Sequence, residues 1–112
     1  MKANRLKWFL LFLFVHAVFQ LPAQQGEADR KLLADIRAKA EAGDAKAQNE
    51  LGEVFALGKQ NVPAAHLEAA NWFRQSAELY FAQAQYNLGV CYHDGQAVAK
   101  DYAEAVKWFY KA

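Results

Sequence analysis

The sequence predicts an all-α fold, a short solenoid built from antiparallel helix pairs, preceded by an export leader. Three observations carry this reading: a self-similar stretch at a spacing of 37, a helical apolar period inside each copy, and turn residues between the copies. Residues Ala47-Gln48-Asn49-Glu50-Leu51-Gly52-Glu53-Val54-Phe55 are followed by Gly58. Residues Ala84-Gln85-Tyr86-Asn87-Leu88-Gly89-Val90-Cys91-Tyr92 are followed by Gly95. Farther on, Glu68-Ala69-Ala70-Asn71-Trp72-Phe73 matches Glu104-Ala105-Val106-Lys107-Trp108-Phe109 at a spacing of 36. The single-residue slip falls in the connection, where Lys59-Gln60-Asn61-Val62 stands against Gln96-Ala97-Val98. Fixed-period self-similarity of this length marks a repeat architecture, in which each copy buries its apolar face on its neighbour.

The register also extends upstream. Ile36, Ala40 and Glu41 precede Phe73, Ala77 and Glu78 by the same 37. Residues from about 27 to 42 therefore read as the second helix of a leading half-repeat, and the chain as five helices. The organisation is a leader over 1–23, a linker and leading helix over 24–46, a first repeat over 47–83 and a second over 84–112. The last helix stops short of the position matched to Ala77, which suggests an incomplete array with an uncovered final helix.

Each helix carries its own signals. Ala47, Leu51, Val54 and Phe55 form one stripe of a 3.6-residue period. Asp44 is placed to cap that helix, and Gly58 and Gly95 are expected in the left-handed conformation that closes helices. Asp101, with Glu104 three residues on, resembles a capping box. The start near Ala65 has no capping oxygen, with Pro63 just ahead to set the turn. Gly52 and Gly89 lie inside helices, where glycine costs about 1 kcal/mol against alanine. Close approach of a partner helix is the expected compensation, with Ala69, Ala77 and Ala105 as the facing small surface. Trp72, Phe73, Trp108 and Phe109 fill the larger gaps. The repeat residues Leu51, Gly52, Phe55, Gly58, Trp72, Phe73, Leu88, Gly89, Tyr92, Gly95, Trp108 and Phe109 all have packing or turn roles in this reading.

The leader has three parts. Lys2, Arg5 and Lys7 are basic, Trp8 to Phe19 is free of charge, and Leu21-Pro22-Ala23 ends in a small residue. That is the pattern of a secretory signal peptide cut after Ala23. The alternative is an uncleaved anchor, but a spanning helix needs about 20 apolar residues. Removing the leader leaves ten Lys/Arg and twelve Asp/Glu, so the surface is evenly mixed and mildly acidic. Such a balance offers no case for nucleic acid or anionic lipid. The expected location is the periplasm or the exterior, with membrane contact only through an uncleaved leader.

No catalytic constellation is visible. Outside the leader the histidines are His66 and His93, the only cysteine is Cys91, and the only serine is Ser76. Cys91 lies in an apolar pattern and reads as a small core residue, two positions from His93 and so on another face. His66 reads as exposed at the start of a helix, and Ser76 has no evident partner. No phosphate loop, His-Glu-x-x-His or nucleophile elbow occurs. The expectation is no enzyme, no metal and no cofactor.

The repeat residues resemble the Sel1-like repeat, a relative of the tetratricopeptide repeat. The shared pattern is Ala-Gln-x-x-Leu-Gly-x-x-aromatic-x-x-Gly, then Lys-Asp-x-x-x-Ala-x-x-Trp-aromatic. Residues 84–112 follow it closely, including Lys100-Asp101; residues 47–80 replace Lys-Asp by Ala64-Ala65. The resemblance implies a right-handed superhelix and an adaptor that binds a protein or peptide on its inner surface. It marks Lys46, Asn49, Glu53, Gln83, Tyr86, Val90 and His93 as the candidate peptide-binding face. Tyr80-Phe81, in the turn between repeats, is a further contact candidate or an inter-repeat seal. Two other readings stay open: a structural subunit or cap docking on another helical array through its C-terminal helix, and a secreted hydrolase related to β-lactam-binding repeat proteins. A disulfide-stapled branch of the family does not fit a chain with one cysteine.

Overall fold

The computed structural model describes residues 26–58 and 63–112, so the leader over 1–23 lies outside the described residues. The described residues form five helices: α1 (26–41), α2 (Ala45–Gly58), α3 (Pro63–Glu78), α4 (Ala82–Asp94) and α5 (Tyr102–Lys111). The chain divides into two compact units, 1–33 and 34–112. In the first, residues 26–33 are helical, and Arg30 Nε donates to the Gly26 carbonyl at 3.1 Å. In the second, α2 packs on α3, α3 on α4 and α4 on α5.

Small residues make this packing possible. Ala69, Ala70, Phe73 and Ala77 of α3 form one buried cluster with Ala84, Leu88 and Cys91 of α4. Leu51 and Leu88 are fully buried and occupy matched positions in the two repeats. The two helix glycines have the expected reason. A Cβ built on Gly52 would stand 2.6 Å from the Phe73 ring and 3.2 Å from the Ala69 carbonyl oxygen. One on Gly89 would stand 2.7 Å from the Phe109 ring and 3.3 Å from the Ala105 carbonyl oxygen. Each pair closes by laying an aromatic ring flush on a bare helix backbone, with an alanine one turn before the ring. Ala77, also expected on that surface, is buried instead in the cluster shared with α4.

Successive repeats are joined by a duplicated pair of ties. Gln48 Nε2 donates to the Ala40 carbonyl at 3.2 Å, and Gln85 Nε2 to the Ala77 carbonyl at 3.3 Å. The Arg37 guanidinium lies 5.8 Å from the Phe55 ring centroid, and Arg74 lies 5.8 Å from that of Tyr92. Arg74 also donates to the Tyr92 hydroxyl at 2.7 Å. All four residues of each set keep the 37-residue register. Ser76, for which the sequence offers no partner, is fully buried and donates to the Ala45 carbonyl at 2.6 Å, tying α3 to α2.

Several helix ends follow the sequence and others depart from it. Asp44 accepts from the Ala47 N–H at 3.0 Å, and Asp101 from the Glu104 N–H at 3.0 Å. The other half of the expected capping box is diverted, because the Glu104 carboxylate pairs with Lys107 at 3.5 Å. Gly95 is left-handed (φ 70°) and its N–H donates to Cys91 O. Gly58 is not: it is the last residue of α2, outside the positive-φ set. α3 begins at Pro63, two residues before Ala65, because proline fits the first helical position, where no N–H is needed.

The turn between α3 and α4 replaces glycine by tyrosine. Gly43 (φ 96°) and Tyr80 (φ 65°) are 37 apart, and their N–H groups donate to Ala40 O and Ala77 O. A left-handed non-glycine residue costs about 1–3 kcal/mol. Tyr80 is 86% exposed and so gains little packing in return, whereas Phe81 is packed on the core. The paired expectation for Tyr80-Phe81 thus splits: Phe81 seals the inter-repeat contact and Tyr80 faces solvent. Tyr80→Gly is expected to raise stability by about 1 kcal/mol, read as a higher urea midpoint with unchanged slope.

Candidate functional site

The solenoid places α2 and α4 side by side with α3 behind them, and a cleft of about 240 Å³ opens where the three meet. Its walls are Ala56 and Leu57 of α2, Ala69 and Phe73 of α3, and Val90 and Cys91 of α4. Glu53, His66, Asn87 and Gln96 supply its polar groups. The apolar floor is a consequence of the repeat, since the cleft is lined by Phe73, whose ring covers Gly52, and by Ala69, whose carbonyl oxygen approaches the same glycine.

Along one edge runs a cluster of amides around a carboxylate. Asn87 Nδ2 donates to Asn49 Oδ1 at 2.9 Å and to Glu53 Oε1 at 3.4 Å. Asn49 Nδ2 donates to the same Glu53 oxygen at 3.1 Å, and Gln83 Nε2 donates to Asn87 Oδ1 at 3.4 Å. The two Asn87 Nδ2 bonds cross from α4 to α2 and tie the edges of the cleft together, while the other two stay within α2 and within α4. Buried amides left without partners are expensive, so each linked group also fixes the others.

The structure divides the candidate face. Glu53 and Val90 line the cleft. Asn49 belongs to the edge cluster but is buried, so it braces the site instead of meeting solvent. Lys46 is exposed and pairs with Glu50 at 3.8 Å, and Gln83 is exposed beside Asn87. Tyr86 and His93 lean the other way, over α5: the Tyr86 ring is 5.5 Å from Phe109, and the His93 ring 5.3 Å from Tyr102. His93 Nδ1 is 2.8 Å from Asp94 Oδ1. His66, expected to be exposed, is half-buried at the cleft wall.

Asn87, Leu57 and Gln96 are cleft residues that the helical stripe does not reveal. Asn87 is one position past Tyr86, on the side of α4 that looks back at α2. A signal exists in the spacing: Asn49 and Asn87 are 38 apart, one more than the repeat, which shifts the second amide toward the first helix.

Cys91 is buried, and desolvation with the nearby Asp94 charge pushes its thiol up to about 11. The folded value lies above the ordinary one of 9.0, so the thiol contributes stability below pH 9 that is lost as pH rises toward 11. Between pH 7 and 8 the thiol stays protonated, a poor nucleophile. Alkylation by iodoacetamide is expected to be slow in the native chain and to reach the rate of a free thiol only in urea.

Among the described residues, no group of three or more His, Cys, Asp or Glu is gathered closely enough to hold a metal ion. No described helix is long and apolar enough to cross a membrane.

Comparison with known proteins agrees with the repeat fold. The family model described as "Sel1 repeat" matches residues 45–81 and 82–112, together more than half of the chain. An F-box protein of Arabidopsis thaliana is 38% identical over 75 residues, covering 67% of this chain and 20% of that protein. The chain thus spans about one fifth of that relative's length. Among solved structures, a protective antigen present in uropathogenic Escherichia coli strains and displaying an SLR fold is 43% identical, with a TM-score of 0.63. That match covers 71% of this chain and 17% of the antigen. A Sel1 repeat protein from Oxalobacter formigenes is 26% identical with a TM-score of 0.55, over 70% of this chain and 38% of its own. Sel1 repeats generally mediate protein–protein interactions. On the residues of its two repeats, the chain belongs to the Sel1 repeat family.

Proposed function

We propose that this protein is an exported, non-catalytic scaffold that holds a peptide segment of a partner protein in the cleft between α2, α3 and α4. One observation carries the reading: the cleft combines an apolar floor with a braced row of amides and a carboxylate at its edge. Apolar walls reward insertion of a side chain, while amide and carboxylate groups pair with the peptide backbone or a basic neighbour. Glu53 gives the edge a negative charge, so the segment suited to it is an apolar side chain flanked by Lys or Arg. The export part rests on the basic, apolar and small-residue succession of residues 1–23.

The test is selection of a displayed peptide library on the full chain, followed by affinity measurement against Leu57→Asp. Leu57 lines the cleft and is 70% exposed, so the substitution leaves the core intact. Selected peptides are expected to carry an apolar anchor beside a basic residue and to bind Leu57→Asp at least about tenfold more weakly, a loss of about 1.4 kcal/mol. Equal affinity for the two chains would remove the cleft as the binding site.

A further inference from the structure

A second cavity, of about 370 Å³, opens between α5 and the turn that joins α3 to α4. It shares no lining residue with the cleft. Its walls are Ala77 and Glu78 at the end of α3, Tyr80 in the turn, Gln85 of α4, and Trp108 and Lys111 of α5. Four of these six are inherited from the repeat. Ala77, Glu78 and Gln85 match Ala40, Glu41 and Gln48 at a spacing of 37, and Trp108 matches Trp72 at 36. The other two depart from it: Tyr80 stands where the first repeat has Gly43, and Lys111 where it has Gln75. Tyr80 holds a left-handed backbone (φ 65°) that glycine adopts without penalty, and its exposed ring returns little packing to the fold. Strain kept where a relaxed residue would serve is a mark of a functional site. Lys111 Nζ lies 4.4 Å from the Trp108 ring centroid. The Trp108 Nε1–H is buried with no acceptor among the described residues, although buried donors are normally paired.

We propose that this cavity binds a neutral saccharide unit. Its charged groups are of both signs, and that selects the ligand. A carboxylate or phosphate drawn to Lys111 also meets Glu78, and an organic cation drawn to Glu78 also meets Lys111. A pyranose carries no charge. Its rim hydroxyls donate to the Glu78 carboxylate and accept from Lys111 and from the Trp108 N–H. Its flat C–H face suits the Tyr80 ring, because the face of an aromatic ring is the negative part of its quadrupole. The cavity falls within the size range of small-molecule sites, about 300–1,000 Å³, which combine aromatic walls with a few placed polar groups. The strain at Tyr80 then serves binding at the expense of stability.

Maltotriose, cellotriose and triacetylchitotriose serve as probes, each titrated into the isotope-labelled full chain. The readout is the Trp108 indole N–H resonance, assigned by its loss in Trp108→Phe. At least one sugar is expected to shift that signal saturably while the Trp72 indole signal stays still. Tyr80→Gly is expected to weaken this binding at least about tenfold while raising the urea midpoint, so that the loss cannot come from unfolding. Adding Lys111→Gln restores the residues of the first repeat and is expected to abolish the response. Leu57→Asp, in the cleft, leaves the response unchanged, which separates the two sites. No saturable shift with any of the sugars, a response to acetate or choline in their place, or equal affinity of Tyr80→Gly and the unaltered chain would overturn the proposal.

Discussion

Leu88→Ala is expected to remove about 2–5 kcal/mol of stability. Leu88 is fully buried and sits in the cluster of Ala69, Ala70, Phe73, Ala77, Ala84 and Cys91. Alanine-rich surroundings make the loss large. The neighbours are short and locked in helices, so they have no reach to collapse into the space left behind. Small domains hold only about 5 kcal/mol in total at the low end. The variant is therefore expected to be largely unfolded at 37 °C, seen as loss of helical circular dichroism and a urea midpoint near zero. Leu51→Ala, at the matched position in the first repeat, is expected to behave alike. A loss below 1 kcal/mol at both positions would mean that the repeats are not closed by these leucines.

The second large effect runs against helix propensity. Gly52→Ala and Gly89→Ala each replace glycine by the best helix former, a gain of about 1 kcal/mol in an exposed helix. Here both are expected to destabilise by about 1–3 kcal/mol, as overpacking of a filled interface does. The new methyl at position 52 would meet the Phe73 ring at 2.6 Å, and the one at position 89 the Phe109 ring at 2.7 Å. Moving the ring does not by itself clear the methyl, since the Ala69 and Ala105 carbonyl oxygens stand 3.2 and 3.3 Å from the same added carbons. A double-mutant cycle distinguishes this from a backbone effect. Phe73→Leu is expected to be destabilising alone yet to offset part of the Gly52→Ala cost, a favourable coupling of about 0.5–3 kcal/mol. Strict additivity would place the cost somewhere other than the ring contact.

These two predictions involve the residues that were most legible before any coordinates. Gly52 and Gly89 break local helix preference at matched positions, and such a conflict is resolved only by a neighbour that needs the space. Asp44 and Asp101 were readable because capping is a local bond spanning three residues. The features that escaped reading depend on where separate helices lie. Asn87 matters because α4 lies beside α2, and nothing in the α4 stripe alone points there. Tyr86 and His93, off the Leu88 stripe and seven residues apart on α4, turn to the rings of Phe109 and Tyr102 on α5. Ser76 finds its partner in the Ala45 carbonyl, 31 residues away, a distance no local pattern spans. Tyr80 shows the opposite limit: the turn geometry was inherited from the position of Gly43 while the residue was not. Gly58 was expected to do what Gly95 does, yet it remains helical, so a terminal glycine alone does not set the closing conformation.

The site follows from the same hierarchy. Repetition fixes which helices are neighbours, the glycine–phenylalanine contacts fix how close the members of a pair come, and the Asn49–Glu53–Asn87 cluster ties the edges of the cleft together.

The central claim is that the cleft between α2, α3 and α4 binds a peptide, and the most direct measurement is amide chemical-shift mapping of the folded chain with a library-selected peptide. Saturable shifts are expected at Glu53, Leu57, Ala69, Asn87 and Val90, with the Lys46 and Tyr110 signals still. Saturable shifts confined to other helix faces, with the cleft residues unmoved, would contradict it.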